Sequence, residues 1–188
     1  MGLAQRVMEW PFAVQRYERI VRPGLTWLGS GLSPRAEHTW LERAFAPLPT
    51  GPVLDLACGT GSYTRWMAKR VDPGRVVGLD ISAPMLATAR RLAPGLAFQE
   101  GSAQALPFQD NTLAAVNCFG GLHLFPDPVG ALREVQRCLQ PGGRLTCLVV
   151  TGGPVRSLGI TPFDVELCPM PRKQTDVHRW MTLFVASA

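Results

Sequence analysis

Two hydrophobic periods alternate along the middle of the chain. Short apolar runs at 52–56, 75–79, 96–100, 113–117 and 144–150 suit buried strands. Between them lie stretches whose apolar residues recur every three to four positions. One begins at Tyr63 and runs to Val71. A second carries Met85, Leu86, Ala89 and Leu92 on one side, and a third carries Ala131, Leu132, Val135, Cys138 and Leu139. Local chemistry marks their ends. Ser33, Ser82 and Asp127 stand as N-caps with proline close behind, Asp72-Pro73-Gly74 and Ala93-Pro94-Gly95 read as turns, and Pro141-Gly142-Gly143 stops the last helix. Strand and helix in alternation, joined by connections of this length, imply parallel pairing with right-handed crossovers. The pattern predicts an α/β, Rossmann-like, doubly wound sheet with helices on both faces and a ligand at the carboxyl ends of the strands.

The two ends of the chain read differently. Residues 1–47 mix Trp10, Phe12, Tyr17 and Trp27 with arginines and are broken by Pro11 and Pro23, which predicts a helical cap or lid closed by a helix over 34–46. Residues 48–188 form the sheet domain, with a shortened last part. There, 177–186 reads as an edge or penultimate strand and 163–170 as its hairpin partner. That leaves 152–161, with its glycines and Pro154, too little room for a full helix.

At 188 residues, 46% apolar and 18% charged, the chain suits a globular fold with one sizeable core. Its net charge of +5 is spread out, with no basic run and no aromatic-interleaved basic patch. The charge therefore argues for a solvated surface, with weak attraction to anionic substrates or membrane surfaces, rather than for nucleic-acid binding. Five cysteines show neither zinc spacing nor an even disulfide count, so no metal site is expected, and a reducing cytoplasm fits. No apolar run approaches a membrane span.

Candidate chemistry is concentrated after the first strand. Val53-Leu54-Asp55-Leu56-Ala57-Cys58-Gly59-Thr60-Gly61 passes from strand to tight turn to helix, and a side chain at Gly59 or Gly61 would hold a ligand away from the backbone. Asp80 ends the second strand, where a carboxylate can accept from both hydroxyls of a ribose. A dinucleotide turn would carry a third glycine at position 64, where this chain has Thr64, so a different nucleoside cofactor is favoured.

The run from Val53 to Gly61 resembles the first motif of class I S-adenosylmethionine-dependent methyltransferases, with Ala57 where the first glycine usually stands. Gly101-Ser102-Ala103-Gln104-Ala105-Leu106-Pro107-Phe108 is similar to the Gly-Asp-Ala-x-x-Leu-Pro-Phe segment of the ubiquinone- and menaquinone-biosynthesis methyltransferases, with Ser102 in place of the adenine-holding aspartate. The segment from Cys118 to Pro128 is similar to the one that faces methionine and acceptor in such proteins. The resemblance spans residues 50–150 and implies a seven-stranded sheet of order 3-2-1-4-5-7-6 and S-adenosyl-L-methionine as cofactor. It implies a binding set of Tyr17, Asp55, Ala57, Cys58, Gly59, Gly61, Asp80, Ile81, Met85, Ser102, Ala103, Asn117 and Phe119. Gln104 is a candidate substitute acceptor for the adenine amine, the alternative being a solvated loop side chain.

The implied reaction is methyl transfer to a small, hydrophobic molecule of quinone, phenolic or polyketide-like type. His123, on the loop after the fourth strand, is the candidate general base, and no role falls to His38 or His178. Two other readings stay open at this point: a non-catalytic S-adenosylmethionine-binding regulator or assembly partner, and an RNA or protein methyltransferase.

Overall fold

The computed structural model describes residues 33–45, 48–153, 162–178 and 181–188, together with Gly24, Trp27 and Gly31. Seven strands form one sheet in the order β3-β2-β1-β4-β5-β7-β6. They are β1 (Val53–Leu56), β2 (Val76–Asp80), β3 (Ala97–Glu100), β4 (Leu113–Phe119), β5 (Leu139–Val150), β6 (Arg172–His178) and β7 (Met181–Ser187). Strands β1 to β5 pair in parallel, and β7 runs antiparallel to both β5 and β6. The strand order is the expected one.

Helices α1 (Pro34–Phe45), α2 (Ser62–Met67), α3 (Ala83–Leu92) and α4 (Pro128–Cys138) surround the sheet. The period-2 alternation of the strands sorts the core into two layers. On one face, Val53, Val76, Ala115, Leu148 and Leu183 pack with Leu41 of α1 and Tyr63, Trp66 and Met67 of α2. On the other, Leu54, Leu56, Val116, Leu145 and Phe184 pack with Ala131, Leu132 and Val135 of α4. Because both faces are covered, β1 and β4 are buried along their whole length. The capping residues act as their types dictate. Ser33 accepts from the Ala36 N–H, Ser82 from Met85 and Asp127 from Gly130.

Three expectations are corrected. The hairpin partner of β7 is β6, whereas residues 163–170 hold only a 3-10 turn at Val165–Leu167. Pro169 and Pro171 cannot donate to a ladder, so the chain pairs only beyond them. Phe163 and Met170, the apolar ends that made this segment look like a strand, are instead buried in the core. The helix expected to reach Val71 ends at Met67 and continues as turns, where the Arg70 guanidinium lies 3.9 Å above the Trp66 ring. Strand β5 begins at Leu139 directly after α4, and a register shift against β4 absorbs residues 141–143. Tyr17 and most of the 1–47 cap lie outside the described residues, as do residues 154–161.

Candidate cofactor and acceptor site

The turn after β1 takes a left-handed backbone at three positions: φ is 57° at Ala57, 55° at Gly59 and 76° at Gly61. The Gly61 N–H donates to the Cys58 carbonyl at 2.9 Å and closes the loop, while the Cys58 N–H donates to the Leu79 carbonyl at 3.1 Å and ties it to β2. Asp80 completes the tie. One carboxylate oxygen accepts from the Gly59 N–H at 2.8 Å and the other from the Ser82 N–H at 2.9 Å. Burial raises the Asp80 pKa, and the N–H groups of Ser82, Gly59 and Ile81 pull it part of the way back. Each oxygen keeps a further acceptor position, so the carboxylate can hold the turn and a ligand's hydroxyls together.

The two glycines of this turn serve different ends. A Cβ added to Gly59 would meet nothing within 4 Å, so that side of the turn opens into free space. A Cβ added to Gly61 would lie 2.8 Å from the Phe98 ring, and the same ring, with Cys58 Sγ, fills the space beside Gly78. Gly61 is therefore small to admit Phe98, and Gly59 faces the open side. Cys58 points into that packed side, and burial pushes its thiol pKa far up, so it is a small apolar filler rather than a nucleophile.

Beneath the turn lies a buried polar chain. Asp55 is 1% exposed and sits between Gly78 and Asn117 in the sheet register. Its carboxylate accepts from Thr64 Oγ1 at 2.5 Å and from Asn117 Nδ2 at 2.8 Å, and Asn117 Oδ1 accepts from Thr146 Oγ1 at 3.1 Å. Burial pushes the Asp55 pKa up to about 6, against the opposing pull of the Thr64 and Asn117 hydrogen bonds. Asp55 and Asn117 thus direct their polar atoms at one another, joining α2, β1, β4 and β5 under the turn.

The remaining candidates converge on the same end of the sheet. Ile81, next to Asp80, is 72% exposed, which is unusual for an isoleucine flanking a buried carboxylate and leaves an apolar surface free. Met85 is buried on the inner side of α3. After β3, Ser102 Oγ accepts from the Gln104 N–H and donates to Gln104 Oε1, both at 3.2 Å, while Gln104 Nε2 donates to the Asp127 carbonyl. Ala103 is buried beside them. Phe119, at the end of β4, packs against Tyr63 with ring centroids 4.9 Å apart and meets Trp40 edge-on.

His123 lies in a 3-10 turn, Leu122–Leu124, and its Nδ1 is buried without a hydrogen-bond partner among the described residues. Burial lowers its pKa to about 4, so the imidazole is neutral at physiological pH. His38 of α1 stacks on Trp66 of α2, with ring centroids 5.5 Å apart, and meets Tyr63 edge-on.

Two features escape a reading of the sequence. Thr60, 2% exposed, holds its hydroxyl in the turn with no partner among the described residues. A polar residue set between the two glycines was the available sign. Glu37 of α1 is also buried and accepts from the Tyr63 hydroxyl at 2.6 Å, a long-range pairing that no local pattern announces.

A family model described as a methyltransferase domain matches residues 53–143. A demethylmenaquinone methyltransferase of Lactiplantibacillus plantarum is 38% identical over 138 residues, covering 68% of this chain and 58% of that protein. A 2-phytyl-1,4-naphtoquinone methyltransferase of Thermosynechococcus vestitus is 42% identical over 139 residues, covering 70% and 61%. A demethylmenaquinone methyltransferase of Thermus thermophilus is 38% identical over 147 residues, covering 74% of this chain and 67% of that protein. The chain thus spans about three fifths of the length of the first two. Among solved structures, a SAM-dependent methyltransferase from Aquifex aeolicus superposes with a TM-score of 0.71 at 17% identity, over 94% of this chain and 97% of that one, a likeness of fold. A strand order of 3-2-1-4-5-7-6, a carboxylate-tied glycine turn and 38% identity across two thirds of the Thermus protein place this chain in the class I S-adenosylmethionine-dependent methyltransferase family.

Proposed function

We propose that this chain binds S-adenosylmethionine across the carboxyl ends of β1, β2 and β3 and directs its methyl group to a hydroxylated ring of quinone type. The observation that carries the reading is the Gly59–Asp80 pair: a left-handed glycine open on its outer side, with its N–H held by a carboxylate that retains acceptor capacity. The orphaned Thr60 hydroxyl in the same turn fits a polar ligand placed there, because a buried hydroxyl without a partner is costly until one arrives.

In this reading Asp80 takes the ribose hydroxyls, Gly59 and Ala57 leave their backbone open to the ligand, and Thr60 hydrogen-bonds its polar end. Ile81 and Ala103 offer apolar surface to the adenine, with Ser102 beside its amine. Ser102 is a weaker partner than a carboxylate, since its hydroxyl carries no charge and already serves Gln104. Asp55 and Asn117 act as positioning residues that hold the turn from below. Gly61, Cys58 and Met85 shape its packed side, and Phe119 borders the acceptor.

When bound, the cofactor offers a methyl group on a sulfonium, activated without help from the protein and leaving behind a neutral thioether. The chain's own work is alignment, exclusion of water and acceptance of one proton. As the acceptor's nucleophilic atom gains the methyl, the acceptor's hydroxyl proton passes to the neutral imidazole of His123 and from there to water. A pKa of about 4 keeps this imidazole neutral and its lone pair available, and makes it a weak base that gives the proton up again quickly. The quinone class rests on the named relatives together with an acceptor side bordered by Phe119 and Tyr63.

Calorimetric titration tests the cofactor site. Asp80→Ala should weaken S-adenosylmethionine binding by about 1.5–3 kcal/mol, as for loss of hydrogen bonds to a charged group. Unchanged affinity in a folded variant would overturn the assignment.

A further inference from the structure

Ala57 is an anomaly that the cofactor site does not require. Its φ of 57° suits glycine, and an L-residue held there costs roughly 1–2 kcal/mol. Strain that persists at one residue points to a use for the side chain that causes it. The methyl group has a definite neighbour. A Cβ added to Gly121 would lie 2.5 Å from the Ala57 Cβ, and its next neighbours, Cys118 Sγ at 3.5 Å and Phe125 Cε1 at 3.7 Å, are at ordinary contact distances.

Gly121 itself has φ −103° and ψ −41°, which any residue adopts, so its backbone has no need of glycine. It is small because Ala57 is not. Gly121 also caps the 3-10 turn that carries His123, with its carbonyl accepting from the Leu124 N–H at 2.9 Å.

We propose that the Ala57 methyl seated against Gly121 is the spacer that sets the His123 turn relative to the cofactor turn, making Ala57 a positioning residue for proton acceptance by His123. The inference rests on the methyl-transfer reading above for its purpose, but its geometry can be tested without turnover. With the methyl in place the two turns stand apart by a fixed side chain. Without it, the His123 turn can settle toward β1 and move the imidazole away from the acceptor.

The test is a two-residue cycle on the full chain, read by NMR titration of His123, by thermal unfolding and, separately, by cofactor affinity and kcat. Gly121→Ala alone should lower the unfolding midpoint and move the His123 titration up from about 4 toward 6.5, because the displaced turn exposes the ring. Ala57→Gly alone should shift the His123 titration and lower kcat about ten- to hundredfold by misplacement, a larger change in kcat than in cofactor affinity. In the double variant the methyl has moved from one side of the contact to the other, so the midpoint and the His123 titration should return most of the way to wild type. Additive losses without rescue, or an Ala57→Gly chain with unaltered kcat and His123 titration, would overturn the spacer. If the wild-type chain failed to bind S-adenosylmethionine, the reading of function would fall while the NMR cycle still decided the spacer.

Discussion

The turn end of β1 and β2 and the paired strands β5 and β7 are made of contrasting materials. Around the turn lie three left-handed backbone positions, two carboxylates with raised pKa values and a buried hydroxyl with no partner among the described residues. Between β5 and β7 the register runs unbroken from Arg144↔Ser187 to Val150↔Met181, and Leu183, Phe184 and Ala186 are fully buried. Conformational strain and desolvation lower stability in the first region, whereas apolar burial and a complete ladder raise it in the second. The difference teaches where each property of the molecule resides. In the proposed reading, binding belongs to the region that carries unmet polar groups and a left-handed alanine, and stability to the region whose local preferences are satisfied.

Substitutions can break that division, and the largest effect is expected on the stable side. Phe184→Ala removes the largest fully buried side chain among the described residues and should cost about 3–5 kcal/mol in denaturant unfolding. Cofactor affinity of the folded variant, measured below its unfolding transition, should stay at the wild-type value. An affinity that fell with stability would show that the two regions are not separable. On the other side, Gly59→Val places a branched side chain in the open space of the turn and should raise the Kd for S-adenosylmethionine at least about a hundredfold, roughly 2.7 kcal/mol. Loss of stability should be near the 1–2 kcal/mol expected for a left-handed L-residue. Tight binding by this variant would put the ligand elsewhere.

A smaller effect sharpens the comparison through pH. Asp55 has its pKa raised from 3.8 to about 6 by burial, so the folded state binds more protons than the unfolded state between those values, and its contribution to stability falls as pH rises through that window. His123 has its pKa lowered from 6.5 to about 4, so the unfolded state binds more protons there, and its contribution rises with pH from about 4 to 6.5. The two slopes oppose each other in the wild-type chain. Relative to wild type, Asp55→Asn should therefore gain stability as pH rises from 4 to 6, on the order of 1–3 kcal/mol. His123→Gln should lose stability relative to wild type over nearly the same range. Parallel profiles for all three proteins would contradict both environments.

The fold was legible in the sequence wherever one physical rule dominated. Runs such as Val53–Leu56 and Leu113–Phe119 are apolar because both sheet faces are covered, and Ser82 and Asp127 cap helices by their own chemistry. The hairpin was misread at 163–170 because Phe163 and Met170 are apolar for burial, not for strand pairing, while the true edge strand, Arg172–His178, is polar as an exposed edge should be.

Within the candidate site, the glycine turn and Asp80 could be read from spacing alone. The separate duties of Gly59 and Gly61 could not, since they depend on Phe98 arriving from a third strand. Gly121 is a similar case. Its small size answers to Ala57, 64 positions away in the chain, and only the folded contact reveals the reason.

The measurement that tests the account most directly is thermal unfolding of the wild-type chain with S-adenosylmethionine, and with a nicotinamide dinucleotide as control. At about 100 times Kd a ligand bound at the Gly59–Asp80 turn stabilises the fold by about 2.7 kcal/mol, which should raise the midpoint by about 5–10 °C. That shift, with none from the dinucleotide, is the result predicted. No shift with S-adenosylmethionine at millimolar concentration, or an equal shift with the dinucleotide, would contradict the assignment of this turn as the cofactor site.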